Sequence, residues 1–400
     1  HVDMVCDNTP DRTINFETDP IELKIEDDWL LGDRTTLGAD NGIGCAAALA
    51  LMTDSTLSHP PLELLFTVEE ETGLYGATAL DPSLISAKRM LNLDTEDWGM
   101  IFIGCAGGFG VKLKGELELE STSDNVYEVE IKGLRGGHSG IDIHLQQGNA
   151  IILLATFLTE NDLRICSFDG GRAHNIIPRD ARAVISTPLS ETELKSKIEN
   201  FVSTIRPTLH QEDQKIEGLV KPASSNKQLS NKSNAELLTL ILTLPHGAHK
   251  FERESKDILV SQSSNLAEVK LSQGNLDILS SVRFFDPLDT KKIKASYKNI
   301  AAYHGLQLDI GTGYPSWKPV FHGKMLELVV EIYKNLFGID PKITAIHAGL
   351  ECGIVKDKLP ELDIVSIGPN IRSAHTPRER IEIPTVDNFW KLLTETVKSL

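Results

Sequence analysis

Acidic residues directly follow short apolar runs at two places in the first quarter of the chain, and this pattern constrains the fold most. Residues 62–68 are largely apolar and precede three glutamates, and residues 90–93 precede Asp94. Such runs, alternating with helix-like segments such as residues 41–52, predict the parallel strands of an α/β fold. Because ligands bind beyond the carboxyl ends of such strands, we expect these acidic side chains to converge there.

Two histidines and further carboxylates extend the pattern. His1 and Asp3 open the chain, and His375 lies near its end. Imidazole and carboxylate groups suit zinc. On a strand, His1 and Asp3 would point to the same side, so Asp3 could hold the imidazole ring of His1. Along an extended chain Glu70 and Glu71 point differently, so one can bind metal while the other transfers a proton.

Each of these segments also has an ordinary interpretation when it is taken alone. Asp40 precedes a predicted helix, where an N-cap aspartate is common. Residues 69–71 could be a solvated acidic run, and His1 with Asp3 could be a surface pair at a frayed terminus. The joint pattern of the five segments therefore carries the metal-site hypothesis.

Composition narrows the classes of function. The net charge of -17 argues against nucleic acid or an anionic membrane as a partner. The sequence has neither a long uninterrupted apolar stretch nor a leader pattern, which predicts a soluble, cytoplasmic protein. The 5 cysteines are odd in number and widely spaced, which argues against a disulfide framework or a thiolate zinc site.

The middle of the chain has a different pattern from its two ends. Tyr127, Val129 and Ile131 alternate with charged residues, which predicts a strand with one wet face. Ser190 and Glu193 form a capping box ahead of an amphipathic helix. The polar residues 222–234 are expected to form an exposed loop.

Length and pattern together predict how the chain divides into domains. A chain of 400 residues exceeds the usual size of one core. We expect a catalytic domain formed by residues 1–107 and 312–400, with residues 108–311 inserted as a second domain that could contain two related halves. The last segment carries two amphipathic helices, the first of them ended by Gly338, and an apolar strand at residues 362–367.

The order of motifs resembles one known family over the whole chain. Eight motifs carry the resemblance: HVD, ADNGIG, VEEETG, LDTED, GLRGGHSG, NIIPRD, HAGLECG and SAHTPRER. They are similar to those of the co-catalytic zinc peptidases that include aminoacylases, carnosinases and bacterial dipeptidases. The resemblance implies a zinc-peptidase domain with a mixed, mostly parallel sheet and an inserted α+β lid domain. It also implies that an N-terminal strand and helix are missing here, because family members carry residues ahead of the first motif.

The resemblance also implies a role for each candidate residue. It implies two Zn²⁺ ions per chain, with Co²⁺ or Mn²⁺ as alternatives, held by a bridging Asp40, by His1 and Asp94 on one ion, and by Glu71 and His375 on the other. Asp3 would orient His1. Glu70 would be the general base. The lid would supply His138 as an oxyanion donor, Asn175 as a contact to the substrate backbone and Arg283 as a clamp on the substrate carboxylate.

The function that follows is hydrolysis of unblocked dipeptides, including Xaa-His dipeptides such as carnosine, by an enzyme that the family relation suggests is a homodimer. An N-acyl amino acid amidohydrolase of the same fold is the nearest alternative. Two others are an oxidase with one copper ion held by the amine and ring of His1, and an inactive, truncated relative with a binding role. Whether His138 serves its own chain or a neighbour's is left open by the sequence.

Overall fold

The computed structural model describes residues 1–400. The α-helices are α1 (Ala39–Thr53), α2 (Tyr75–Ala79), α3 (Ala150–Glu160), α4 (Glu191–Ile205), α5 (Asn231–Thr243), α6 (Thr290–Tyr303), α7 (Lys324–Phe337), α8 (Glu351–Lys358) and α9 (Ile383–Lys398). The strands are β1 (Leu23–Glu26), β2 (Trp29–Gly32), β3 (Arg89–Asn92), β4 (Met100–Cys105), β5 (Gly107–Glu116), β6 (Leu119–Ser121), β7 (Asn125–Lys132), β8 (Gly137–His138), β9 (Arg164–Gly170), β10 (Ile176–Ile177), β11 (Ala181–Thr187), β12 (Glu217–Pro222), β13 (Lys227–Leu229), β14 (Gly247–Phe251), β15 (Val260–Ser272), β16 (Asn275–Phe284), β17 (Gln307–Ile310), β18 (Lys342–Ile346), β19 (Asp363–Ser366), β20 (Ile371–Arg372) and β21 (Arg380–Glu382). None of the helices has both the length and the apolar character that a bilayer crossing requires.

The chain forms two compact units. The first unit consists of His1–Ala106 and Pro315–Leu400, and the second consists of Gly107–Tyr314. The second unit is therefore an insertion in the sequence of the first.

The first unit is built around a four-stranded sheet with the order β18-β4-β19-β3. Strands β18 and β4 are parallel, as are β19 and β3, whereas β19 runs antiparallel to β4. This confirms the predicted mixed, mostly parallel sheet. Its core packs α7 and α9, through Val329 and Leu392, against Ile101 and Val365 of the strands. A small antiparallel sheet, β1-β2-β21-β20, lies in the same unit.

The second unit is a nine-stranded antiparallel sheet whose main path is β12-β7-β11-β9-β15-β16-β5-β17. Its core joins the sheet to the helices α3, α4, α5 and α6. Two sets of elements have the same β-α-β-β-α-β order, namely β7-α3-β9-β11-α4-β12 and β5-α5-β15-β16-α6-β17. They meet where β9 pairs with β15.

Local patterns predicted several elements correctly. Strand β7 buries Tyr127, Val129 and Ile131, and the side chains of its other face are partly exposed to solvent. Helix α4 begins with the predicted capping box, in which Ser190 and Glu193 exchange hydrogen bonds. Helix α7 ends at Gly338, whose φ of 71° is left-handed.

Two sequence predictions were wrong. Residues 62–68 form no strand, because no neighbouring strand pairs with them; Thr67 instead accepts one backbone hydrogen bond from Val2. Residues 222–234 are not one exposed loop, because they include β13 and the first turn of α5. Their polar residues are structural: Ser230 caps α5, and the buried Asn234 accepts a hydrogen bond from the Ile165 N–H.

Candidate metal centre and active site

The predicted metal ligands of the first unit come from five separate segments. Asp94 follows β3, and His375 follows β20. Asp40 lies at the start of α1 in a non-helical conformation, and the peptide bond after it is cis. Glu71 lies in the turn after residues 62–68, and His1 is buried at the beginning of the chain. The fold brings all five side chains together.

Asp40 lies between the two histidines. Its Oδ1 is 3.2 Å from Nε2 of His1, and its Oδ2 is 3.2 Å from Nε2 of His375. Burial by itself would raise the pKa of Asp40, but the hydrogen bonds with His1 and His375 outweigh it and lower this pKa to about 2. Asp40 is therefore a carboxylate with one oxygen directed to each histidine, which is the arrangement that a bridging ligand needs.

The other carboxylates divide between the two histidines. On one side, Nε2 of His1 lies 3.4 Å from Oδ1 of Asp94. On the other side, Nε2 of His375 lies 3.0 Å from Oε2 of Glu71. Asp40 belongs to two sets of possible ligands, one with His1 and Asp94 and the other with Glu71 and His375. Within each set, the ligand atoms all lie within 4.8 Å of one another. The side chains thus form two overlapping sets that share Asp40.

The donor set fits divalent metal ions. Oε1 of Glu71 is buried without a hydrogen-bond partner, and Oδ1 of Asp94 is buried with only the ring of His1 beside it, at 3.4 Å. Burial raises the pKa of Asp94 to about 6, although His1 opposes this shift, and burial and the charge of Asp40 raise the pKa of Glu96 to about 7. The positive partners of the cluster are the two histidines, both neutral when they bind metal. A bound cation would supply the missing positive charge and would occupy the free oxygens.

Glu70 lies beside this cluster. Its Oε2 is 3.9 Å from Nε2 of His1. Burial and the charge of Asp94 raise the pKa of Glu70 to about 8. A carboxyl group with a raised pKa at the edge of a metal site suits proton transfer.

Asp3 supports both His1 and the glutamate turn, by different atoms. Nδ1 of His1 lies 2.9 Å from the backbone oxygen of Asp3 and 3.6 Å from its carboxylate Oδ1. The carboxylate oxygens instead accept hydrogen bonds of 3.1 Å from the backbone N–H groups of Glu70 and Glu71. The ring of His1 is therefore hydrogen-bonded to the Asp3 carbonyl, while the Asp3 carboxylate holds the turn that presents both glutamates.

The three predicted lid residues lie in the second unit, close to one another. His138 in β8 pairs with Ile176 in β10, and Asn175 accepts a hydrogen bond of 2.8 Å from the Ser139 N–H. Arg283 in β16 is buried. Its NH1 donates to the Tyr314 hydroxyl at 3.1 Å, and its NH2 lies 3.4 Å from Nε2 of His138. Its Nε has no hydrogen-bond partner.

The hydrogen bonds of His138 define its tautomer. Nδ1 accepts from the backbone N–H groups of Gly140 and Ile141, at 3.3 and 3.1 Å. Burial and the nearby Arg283 lower the pKa of His138 to about 4, so the ring is neutral near pH 7. The proton of a neutral ring whose Nδ1 accepts must be on Nε2. Nε2–H and the Arg283 guanidinium are thus two donors only 3.4 Å apart, and an anionic oxygen that accepts from both would satisfy them.

Sequence reasoning missed three acidic residues near the first-unit cluster. Glu96 experiences the charges of Asp40 and His375. Glu351 is buried and accepts a hydrogen bond of 2.5 Å from the Thr67 hydroxyl, and Glu379 accepts from the backbone ahead of Asp40. All three lie inside the motifs LDTED, HAGLECG and SAHTPRER. Membership of those motifs was the available signal, but nothing in the local pattern separated them from surface glutamates.

Comparison with known proteins agrees with this geometry. The family model described as Peptidase family M20/M25/M40 matches residues 1–399. The cytosol non-specific dipeptidase of Escherichia coli is 36% identical over 408 residues, which cover 100% of this chain and 84% of that protein. The crystal structure of aminoacylhistidine dipeptidase from Vibrio alginolyticus has a TM-score of 0.89 at 30% identity and covers 100% of this chain and 83% of that one. Aminopeptidase PepT from Bacillus cereus has the same fold, with a TM-score of 0.51 at 16% identity over 94% of this chain and 76% of that one. The chain belongs to the peptidase family M20/M25/M40.

Proposed function

We propose that this chain is a dipeptidase that hydrolyses unblocked dipeptides, including Xaa-His dipeptides such as carnosine, in a metal-dependent reaction. The observation that carries the proposal is the cluster of two histidines and three carboxylates, with Glu70 beside it. The names of the Escherichia coli and Vibrio alginolyticus relatives support dipeptides as the substrate class.

Two Zn²⁺ ions are the proposed cofactor. Asp40 would bridge them; His1 and Asp94 would complete one site, and Glu71 and His375 the other. The two overlapping donor sets, with the buried oxygens of Glu71 and Asp94 that form no regular hydrogen bond, support two ions rather than one. When bound, the ions would lower the pKa of a water molecule and polarise the peptide carbonyl.

Glu70 is the proposed general base. Its carboxylate would take a proton from the attacking water and deliver it to the nitrogen of the leaving amine. The Asp3 carboxylate would keep Glu70 in position, because it binds the backbone N–H groups of both Glu70 and Glu71. No covalent intermediate is required.

The second unit is proposed as the lid that recognises the substrate. Arg283, buried and with neutral hydrogen-bond partners, would bind the free carboxylate of the dipeptide. His138, neutral and with its proton on Nε2, would donate to the oxygen that develops negative charge. Asn175 would contact the substrate backbone. The lid is proposed to comprise residues 108–311, and the similar range of the second unit, Gly107–Tyr314, supports these boundaries.

Assembly and location are proposed on the family relation. A homodimer is the proposed assembly, and the name of the Escherichia coli relative supports a cytosolic location. The same relation and the net charge of -17 support small peptides, rather than nucleic acid or membranes, as partners.

Hydrolysis of a small substrate panel tests the proposed function. The panel is carnosine, Ala-His, Gly-Gly and N-acetyl-alanine, each assayed by release of the free amino acid. We expect cleavage of the three unblocked dipeptides and none of N-acetyl-alanine. Preferential cleavage of the blocked substrate would favour the amidohydrolase alternative and would contradict the proposed role of a dipeptidase.

A further inference from the structure

Glu379 is a buried carboxylate whose partners are backbone groups. It is 2% exposed and lies four residues after His375. Its Oε2 accepts hydrogen bonds from the N–H groups of Leu37 and Gly38, at 2.8 and 3.0 Å, and its Oε1 accepts from the Asp40 N–H at 3.2 Å. A buried charge needs such compensation, and here three N–H groups supply it in place of a lysine or arginine.

These hydrogen bonds fix the turn that presents Asp40. Asp40 and Asn41 depart from helical geometry, so the turn is held by one backbone hydrogen bond of 3.0 Å, from the Gly42 N–H to the Gly38 carbonyl, and by the hydrogen bonds to Glu379. The carboxylate of Glu379 accepts hydrogen bonds from backbone N–H groups on both sides of Ala39. Glu379 thus helps to hold the backbone from which the Asp40 side chain directs one oxygen toward each histidine.

Glu379 also belongs to the segment that carries His375. Its own N–H donates to the carbonyl of Thr376 at 2.9 Å, and the Thr376 hydroxyl donates to the carbonyl of Ser373 at 2.8 Å. The segment from Ser373 to Glu379 is thus closed on itself by local hydrogen bonds. The side chain of Glu379 consequently connects, by hydrogen bonds, the segment that carries His375 with the segment that carries Asp40, although the two are far apart in the sequence.

We infer that Glu379 is a positioning residue for the metal centre, which sets the relative placement of Asp40 and His375 without touching the metal. The inference rests on the proposed function, because it assigns Glu379 a role toward the proposed ions. Residues that orient metal ligands typically change metal affinity about 10–100-fold when they are mutated. Glu379→Gln keeps the size of the side chain but leaves one acceptor oxygen and turns an NH₂ donor toward backbone N–H groups, so part of the turn must move.

Zinc binding to the metal-free protein tests this inference. The dissociation constant is measured by competition with a chromophoric chelator, and the absorption spectrum of the Co²⁺-loaded protein reports ligand geometry. We expect Glu379→Gln to weaken Zn²⁺ binding about 10–100-fold and to change the Co²⁺ spectrum. The control Glu327→Gln removes an exposed glutamate from α7 and should leave both readouts as in the wild type. Wild-type affinity and a wild-type spectrum in a folded Glu379→Gln protein would overturn the inference.

A second variant covers the case in which the glutamine variant does not fold. Glu379→Asp keeps the charge but is one methylene shorter, so it cannot reach all three N–H groups with the same geometry. We expect weaker Zn²⁺ binding in this variant as well, and unchanged binding would overturn the inference. Failure of the proposed function is distinguishable, because the wild-type protein itself would then cleave no unblocked dipeptide or bind no divalent ion, whereas failure of the inference leaves the wild type active and the variant with wild-type metal affinity.

Discussion

Replacement of Arg283 by methionine should reduce activity without reducing stability. The guanidinium is buried, its Nε has no partner, and its other contacts are to the neutral groups Tyr314 and His138. If it binds the substrate carboxylate, its loss removes charge-assisted hydrogen bonds worth about 1.5–3 kcal/mol each. A net loss of about 3 kcal/mol corresponds to roughly a hundredfold reduction in kcat/KM. Burial of a cation that lacks an anionic partner costs free energy, so its exchange for an apolar side chain should not destabilise the free protein.

The assay compares a dipeptide with its C-terminal amide, in wild type and in Arg283→Met. The wild type should prefer the free carboxylate by roughly a hundredfold, because the amide offers no negative charge to the guanidinium. In the variant, this preference should fall to near unity, since the group that discriminates is gone. The control is Arg182→Met, which removes an arginine on the same sheet that pairs with Asp169 at 2.7 Å and is 57% exposed. It should leave both rates unchanged.

Two results would refute this reasoning. One is a variant that keeps the wild-type preference for the carboxylate over the amide, which would place the carboxylate away from Arg283. The other is a large fall in Tm for Arg283→Met, which would mean that the guanidinium stabilises the fold. In that case the loss of activity would follow from misfolding rather than from recognition.

Two further predictions concern proton transfer and pH. Glu70→Gln should lower kcat about 10²–10⁴-fold with unchanged zinc content, because it removes the proposed general base. The control Glu69→Gln changes an exposed neighbour and should leave kcat unchanged. Equal losses of kcat in both variants would contradict the assignment. Burial lowers the pKa of His246 from 6.5 to about 4 in the folded protein. Between these two pKa values the unfolded state binds more protons than the folded state. The free energy of unfolding should therefore fall as the pH drops from 6.5 to about 4. His246→Gln, measured by urea unfolding in the presence of a chelator, should make that fall shallower; an identical pH dependence would show that His246 does not contribute.

Elements with local signals were predictable from the sequence. The capping box of Ser190 and Glu193, the alternation along β7 and the left-handed Gly338 each depend on residues within one or two turns of chain. The same holds for the strand ahead of Asp94, because the apolar residues Met90 and Leu91 indicate it locally. Such features need no knowledge of the rest of the fold.

Features that depend on distant partners were not predictable. Residues 62–68 have the composition of a strand, but a strand forms only where a neighbouring strand provides backbone hydrogen bonds. The Asp3 carboxylate lies 3.6 Å from the ring of His1, but its hydrogen bonds to the N–H groups of Glu70 and Glu71 depend on a turn far along the chain. Glu379 acts through the backbone of Leu37 and Asp40, and backbone donors leave no residue-type signal in a sequence.

Zinc titration of the metal-free protein, followed by carnosine hydrolysis, tests the central claim most directly. The protein is stripped with a chelator, Zn²⁺ is returned in defined equivalents, and bound metal is counted by elemental analysis. We predict that chelation abolishes hydrolysis and that activity returns as the chain takes up two Zn²⁺ ions. A folded protein that binds two Zn²⁺ ions and cleaves none of the unblocked dipeptides, or one that hydrolyses them at full rate without metal, would contradict the account.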